Sequence, residues 1–170
     1  MNRAEILRRR IQGLTVLFMA GLVLSGVTAI PLRWEVSRLA IFIASNDWSS
    51  HLHGGVLTDW LSSVQSALDR TAAAQPFLFY GTDWLAFGHF VIAIAFIGAL
   101  RDPVRNRWLF DFGLIACTLV IPYAFVCGAV REIPVWWRLI DCSFGVFGAV
   151  PLWFGRGWTA ELEKLTAKKS

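Results

Sequence analysis

The chain has 170 residues, of which 56% are hydrophobic and only 16% are charged, against about 25% charged in a typical soluble domain. This composition excludes most soluble classes and predicts a single all-α domain embedded in a membrane. The net charge of +4 does not indicate a nucleic-acid partner, because the basic residues stand at the ends of apolar runs rather than along a stripe.

Four apolar runs are long enough to cross the hydrocarbon core, which takes about 20 helical residues. They predict transmembrane helices over residues 14–32, 84–100, 109–130 and 135–154. The first run follows Arg8, Arg9 and Arg10 and contains VTA at 27–29, a pattern that also fits a signal peptide. We favour a retained helix because the apolar character continues to Leu32.

The largest segment outside these runs, residues 33–83, is predicted to be helical rather than a flexible linker. Residues 34–44 are mostly apolar, and residues 57–74 carry apolar side chains at helical spacing before Pro76. The apolar positions are Leu57, Leu61, Val64 and Leu68, and the polar ones opposite are Asp59, Ser66 and Asp69. An aromatic patch follows at 77–80. We expect this segment to lie on the membrane surface or to cap the bundle.

Lysine and arginine are divided unevenly between the two predicted sides of the membrane. Eleven lie in the N-terminus, the 101–107 loop and the tail 155–170, and five lie elsewhere. Because cytoplasmic loops carry the excess of basic residues, both termini are predicted to be cytoplasmic and the segment 33–83 periplasmic. Residues 159–170 are expected to form a short, frayed cytoplasmic helix.

Small residues at helical spacing predict where the transmembrane helices approach one another. The three stripes are Gly21, Ser25 and Ala29; Ala86, His89 and Ala93; and Asp141, Gly145 and Gly148, with Arg138 one turn earlier. Pro122 cannot donate to the carbonyl of Thr118, so a kink is predicted in the third helix, for packing rather than as a gating hinge. Asp111 is predicted to pair with Arg105 or Arg107, or to cap its helix.

Ionisable residues collect near the predicted outer ends of the helices. They are His89, Arg138, Asp141, Asp83 and Arg131. The favoured interpretation is structural, with an i,i+3 pair between Arg138 and Asp141 and a hydrogen bond from His89 to a neighbouring helix. The alternatives are a pocket for a small molecule or lipid headgroup, and an acid–base pair of His89 with Asp141 in an enzyme.

A further alternative is a metal or haem site in which His89 joins His51 or His53, since imidazole suits zinc, copper and iron. The HLH spacing alone is a weak signal for such a site. The sequence contains no P-loop, no HExxH and no nucleophile elbow, and its three cysteines lie in apolar runs without a CxxC pair. It indicates no particular cofactor.

Three stretches between residues 81 and 153 resemble a family of small uncharacterised bacterial four-helix membrane proteins. They are GTDWLAFGH, RDPVRNRW and RLIDCSFGVFGAVPLW. The resemblance implies four spans in a bacterial inner membrane and brings no activity, cofactor or catalytic residue. A fainter likeness to the four-helix superfamily of sterol isomerases and the sigma-2 receptor rests on Asp102-Pro103 and on IPYAF at 121–125.

The sequence thus predicts an all-α bundle of four transmembrane helices with amphipathic helices in an outer loop. The expected role is that of a non-enzymatic accessory, scaffolding or sensing protein of the inner membrane. The alternative is an outward-facing pocket near His89 that binds a small molecule, lipid, metal or haem. The expected partners are the lipid bilayer and a membrane protein or a second copy of the chain. Catalysis is not favoured.

Overall fold

The computed structural model describes residues 2–45 and 55–167. These residues are 90% helix and include no strand. The α-helices are α1 (Arg3–Ala29), α2 (Leu32–Ser45), α3 (Val56–Ala74), α4 (Tyr80–Ala95), α5 (Ile97–Arg101), α6 (Trp108–Val130) and α7 (Val135–Ala167). A short 3₁₀ turn, Pro76–Phe79, leads into α4. The helical prediction for residues 34–44 and 57–74 is confirmed by α2 and α3.

Four helical segments are long and apolar enough to cross a membrane, so the chain is a multi-pass membrane protein. They are Arg3–Ala29, Pro76–Arg101, Trp108–Val130 and Val135–Ala167. The second begins eight residues earlier than the run predicted from sequence, because Pro76 stands at the first helical position, where its missing N–H is not needed. The predicted aromatic patch at 77–80 therefore belongs to the start of this segment.

The chain divides into two compact units, the first made of Met1–Leu22 and Val91–Ser170 and the second of Val23–Phe90. The first unit has a buried core to which α1, α6, α7 and the chain around α5 all contribute. Its fully buried members are Ile11, Phe96, Ala99, Leu109, Phe110, Leu152 and Leu162. The Phe96 ring lies 4.8 Å from that of Phe18 and meets the Phe110 ring edge-on at 6.3 Å.

The antiparallel pair α6 and α7 packs through glycine. A Cβ at Gly145 would lie 2.6 Å from the backbone oxygen of Cys117, and one at Gly155 would lie 2.8 Å from the Phe110 ring. On α6, a Cβ at Gly113 would meet Leu152 at 2.7 Å. Lipid does not drive helices together as water does, so such close backbone approach supplies the dispersion contacts that hold the pair. The predicted contact face at Gly145 is confirmed.

The prediction of a frayed C-terminal helix is wrong. The helix α7 has 33 residues and continues without a break to Ala167. At about 1.5 Å per residue it is close to 50 Å long, well beyond the hydrocarbon thickness of about 30 Å. Its last turns are ordered by packing in the first unit, because Leu162 joins the core and the buried Thr159 donates from its hydroxyl to the carbonyl of Gly155.

In the second unit, α2 packs against α3. Arg33 and Asp69 form an ion pair of 2.7 Å that joins the start of α2 to the last turns of α3. Leu61 is buried, Leu57, Val64 and Leu68 are half-buried, and Asp59, Ser66 and Asp69 are exposed. The predicted amphipathic pattern of this helix is therefore confirmed.

The small-residue stripe predicted on the first helix is only partly correct. Gly21 has open space where a Cβ would be, whereas Gly26, which the stripe omitted, is the position of close approach. A Cβ at Gly26 would lie 2.7 Å from the Phe90 ring and 3.1 Å from the carbonyl oxygen of Ala86. Four-residue spacing fixes a face of a helix but not which of its small residues the partner reaches.

Candidate functional site

His89 lies in α4 and is half-buried. Its Nδ1 lies 2.8 Å from the carbonyl oxygen of Leu85, one turn earlier in the same helix. A carbonyl only accepts, so Nδ1 donates this hydrogen bond, and Nε2 has no hydrogen-bond partner in the described part of the chain. The expected hydrogen bond from His89 to a neighbouring helix is thus replaced, at Nδ1, by a bond within its own helix.

Arg138 fastens the turn between α6 and α7. Its Nε donates to the carbonyl oxygen of Ile133 at 2.7 Å, while the Ile133 amide donates to the carbonyl of Gly128 at 2.9 Å. A Cβ at Gly128 would lie 2.7 Å from the Arg138 Cδ, so only glycine lets the arginine stem pass. Glu132, at the centre of the turn, has a φ of 56°, in the left-handed region.

The predicted ion pair between Arg138 and Asp141 is not formed among the residues that the structure describes. Helical spacing brings the two side chains to one face of α7, but the carbonyl of Ile133 lies within reach of Arg138 and needs a donor, because the turn has ended the α6 ladder. Asp141 is half-buried on α7.

The other residues of the predicted outer cluster are exposed. Asp83 lies in the first turn of α4, and Arg131 follows the end of α6, where its amide donates to the carbonyl of Cys127. His89 and Asp83 belong to the second unit and Arg131, Arg138 and Asp141 to the first, so their grouping stays a prediction. His51 and His53 lie outside the described residues. Within those residues, no three His, Cys, Asp or Glu side chains are placed to hold a metal.

Sequence reasoning missed the most extensive polar assembly of the first unit, here called the polar end. It comprises the first turns of α1, the loop 101–107 and the last turns of α7. Two ion pairs link its segments to α7, from Arg3 to Glu161 at 2.6 Å and from Arg107 to Glu163 at 3.2 Å. Individually exposed pairs of this kind contribute little, but together they fix which side chains face one another.

A third ion pair joins α6 to α7 and involves Asp111, for which an arginine partner was predicted in the loop. Its partner is Arg156 on α7 rather than Arg105 or Arg107. The two side chains are comparably half-exposed, at 43% for Asp111 and 42% for Arg156. The pair ties the beginning of α6 to the turns of α7 that follow the predicted span. The sequence could not show this pairing because the residues are 45 positions apart.

The loop 101–107 is itself built by side-chain hydrogen bonds to its backbone. The Asn106 amide donates at 3.0 Å both to the carbonyl of Gly98 and to that of Asp102, and the Asp102 carboxylate accepts the Arg105 amide at 3.1 Å. Pro103 is fully buried. The D-P-x-x-N pattern at 102–106 could have indicated this turn, because it places a carboxylate acceptor before the proline and an amide donor three residues after it.

A cavity of about 430 Å³ opens on the polar end. Its lining is mostly apolar, and the charged part of the lining, here called the rim, consists of two arginines and two carboxylates. The lining residues are Ala4, Glu5, Arg8, Asp102, Pro103, Val104, Arg105, Leu162 and Thr166. Arg8 also bridges two of the contributing segments, because its Nη2 donates to the carbonyl of Arg101 at 3.0 Å. Three segments that are far apart in the sequence therefore form one concave surface.

Comparisons with family models, with curated proteins and with solved structures found no match. The binding or catalysis that this chain can support therefore has to be inferred from its own side chains. Arg138 and the ion pairs of the polar end are engaged with backbone or with one another, which suits positioning of helices. Among the described residues, groups with unused bonding capacity include the Nε2 atom of His89 and the arginines that line the cavity.

Proposed function

We propose that the chain is a non-enzymatic accessory or scaffolding protein of a bacterial inner membrane, which holds a fixed polar surface for a membrane-protein partner. The observation that carries this proposal is the polar end. There, two ion pairs join α7 to α1 and to the 101–107 loop, a third joins α7 to α6, and a buried core packs the same segments together. A surface whose charged side chains are paired with one another suits docking better than bond-making chemistry.

The test is recovery of a partner from native membranes in mild detergent, with the tagged chain expressed at low level. We expect a complex of defined stoichiometry whose recovery falls in Asp111→Asn, which breaks the ion pair between α6 and α7. Asp83→Asn is the matched control, since it removes the same charge from an exposed residue of the second unit. A chain that purifies alone, or equal losses in the two variants, would contradict the proposal.

The proposed orientation places both termini and the polar end in the cytoplasm and the α2–α3 hairpin in the periplasm. The excess of basic residues in the termini and the 101–107 loop supports it. In a background without the three native cysteines, Lys164→Cys and Ser66→Cys place one thiol each at exposed positions of α7 and α3. An impermeant maleimide should label only Ser66→Cys in intact cells. Labelling of Lys164→Cys alone would reverse the orientation.

The hairpin is further proposed to lie on the membrane surface. The helix α2 begins three residues after α1 ends, so its start is held near the hydrocarbon boundary. Its face away from α3 exposes Trp34 and Ile41, and Arg38 stacks over the Trp34 ring at 5.1 Å. Tryptophan with a cationic neighbour is typical of helices at the lipid interface. A polarity-sensitive label at Ile41→Cys should be quenched by shallow lipid-borne quenchers, whereas one at Ser66→Cys should not.

A second candidate function is a ligand site at His89. It is favoured by the bond from Nδ1 to the Leu85 carbonyl, since such a bond fixes the ring of a metal-ligating histidine and leaves Nε2 free. The ligand classes are a small molecule, a lipid, a metal or haem. An absorbance spectrum and a metal analysis of the purified chain test the last two. A haem band or bound metal lost in His89→Ala but kept in His53→Ala would put this function ahead of the accessory role.

A further inference from the structure

The cavity on the polar end has spare hydrogen-bond donors. A guanidinium group carries five N–H donors, and Arg8 uses one of them on the carbonyl of Arg101. In the described part of the chain, the Arg105 side chain has no hydrogen bond or ion pair, and only its backbone amide is bonded, to Asp102. The two arginines that line the cavity therefore present most of their donors to whatever enters it.

The two carboxylates of the rim are already in use. Glu5 accepts the amide of Asn2 at 3.2 Å, and Asp102 accepts the amide of Arg105 at 3.1 Å. Neither is ion-paired with an arginine in the described residues. Arg9 and Arg101, which adjoin lining residues in the sequence, are also exposed and have no carboxylate partner among the described residues. The lining itself is formally neutral, so the positive excess comes from Arg9 and Arg101, and an anion that enters finds arginine donors that are not paired with acids.

The depth of the cavity in the membrane follows from the aromatic residues beside it. Arg10 lies over the Trp158 ring at 5.7 Å, and Trp108 is 60% exposed three residues after Arg105. Tryptophan collects at the level of the lipid headgroups. Arg8 precedes Arg10 by two residues, which is about 3 Å along the helix, and the headgroup layer is about 5–7 Å thick on each side. The arginine rim therefore lies at headgroup depth.

We propose that this cavity binds the phosphate of an anionic phospholipid headgroup, with Arg8 and Arg105 donating to the phosphate oxygens. Arginine holds phosphate oxygens through paired N–H groups, and two arginines line this cavity. The inference rests on the membrane placement of the proposed function. It does not depend on a protein partner, so the two can fail separately.

The test is lipid binding to the detergent-purified full chain, measured by native mass spectrometry with phosphatidylglycerol, phosphatidylcholine and, separately, inorganic phosphate as probes. Phosphatidylglycerol should bind more tightly than phosphatidylcholine. Arg105→Gln should weaken its binding about fivefold, from about 1 kcal/mol per cation near a headgroup. Arg9→Gln is the matched control, because it removes the same charge from α1 outside the cavity lining.

Two results would overturn the proposal. Equal losses in Arg9→Gln and Arg105→Gln would show attraction by diffuse surface charge rather than binding in the cavity. Binding of inorganic phosphate that depends on Arg105, with no preference for phosphatidylglycerol, would assign the cavity to a soluble anion. Because Arg8 also bonds the 101–107 loop, Arg8→Gln serves as a second variant, with circular dichroism to confirm that it is folded.

Discussion

The contact between α6 and α7 at Gly145 gives the sharpest test of the packing described above. A Cβ at this position would lie 2.6 Å from the backbone oxygen of Cys117, whereas ordinary contact begins at 3.4 Å. Gly145→Ala must therefore move the helices apart by about 0.8 Å, because a backbone atom cannot rotate away. A gap of 0.5–1 Å forfeits a quarter to a half of each dispersion contact along the seam.

Overpacking of this kind costs about 1–3 kcal/mol, and the better helix propensity of alanine returns about 1 kcal/mol. The net change should therefore lie between none and a loss of about 2 kcal/mol, which lowers the melting temperature by at most about 8 °C for a chain of this size. Gly157→Ala is the control, since it lies on the same helix and nothing is within 4 Å of its new methyl group. Thermal unfolding followed by circular dichroism in mild detergent measures both. The reasoning fails if Gly145→Ala melts as high as Gly157→Ala, which gains the same helix propensity without the overpacking.

Three further predictions concern polar contacts. The hydrogen bond from Arg33 lowers the pKa of Asp69 from its ordinary 3.8, so the stability it lends to the hairpin is present above pH 3.8 and is lost as the pH falls through the lower folded value. Arg33→Gln should raise that pKa towards 3.8, as measured by NMR of the carboxyl carbon, and an unchanged value would refute the cause. Arg138→Gln should speed hydrogen exchange at the Ile133 amide, because the turn loses its clamp. Asp111→Asn should lower stability by at most about 1 kcal/mol in thermal unfolding, since its ion pair is half-exposed.

The sequence predicted the helical class and the four long apolar helices because an apolar run of this length has few stable alternatives in lipid. It also predicted the helix at 34–44 and the amphipathic face of α3, where burial recurs at helical spacing. It did not predict the persistence of α7 to Ala167. Residues 159–167 look like a solvated tail in isolation, and only packing against the start of α1 and the loop 101–107 makes Leu162 a core residue.

The predicted polar cluster shows where sequence proximity misleads. Arg138 and Asp141 stand at i,i+3, which favours an ion pair on an isolated helix by only about 0.2–0.5 kcal/mol. Leaving a helix-end carbonyl without a donor costs more free energy than this ion pair provides when the carbonyl lies away from water. The half-buried Ile133 carbonyl lies in the turn beyond α6, where it has no helical donor either, and Arg138 satisfies it. The path of the backbone through residues 131–134 decides which partner Arg138 bonds, and residue spacing along a helix does not predict that path.

The ion pairs of the polar end are too exposed to account for its order by themselves. Each contributes at most about 1 kcal/mol, whereas buried rings such as Phe96 and Phe110 each make many dispersion contacts of about 0.1–0.2 kcal/mol. The core therefore supplies the stability, and the ion pairs determine which faces of α1 and α7 meet. This division has a consequence for function. Arginines that no acid in the described chain neutralises, such as Arg9, Arg101 and Arg105, are not needed to hold the fold together, so their charge is available to an anionic ligand or partner.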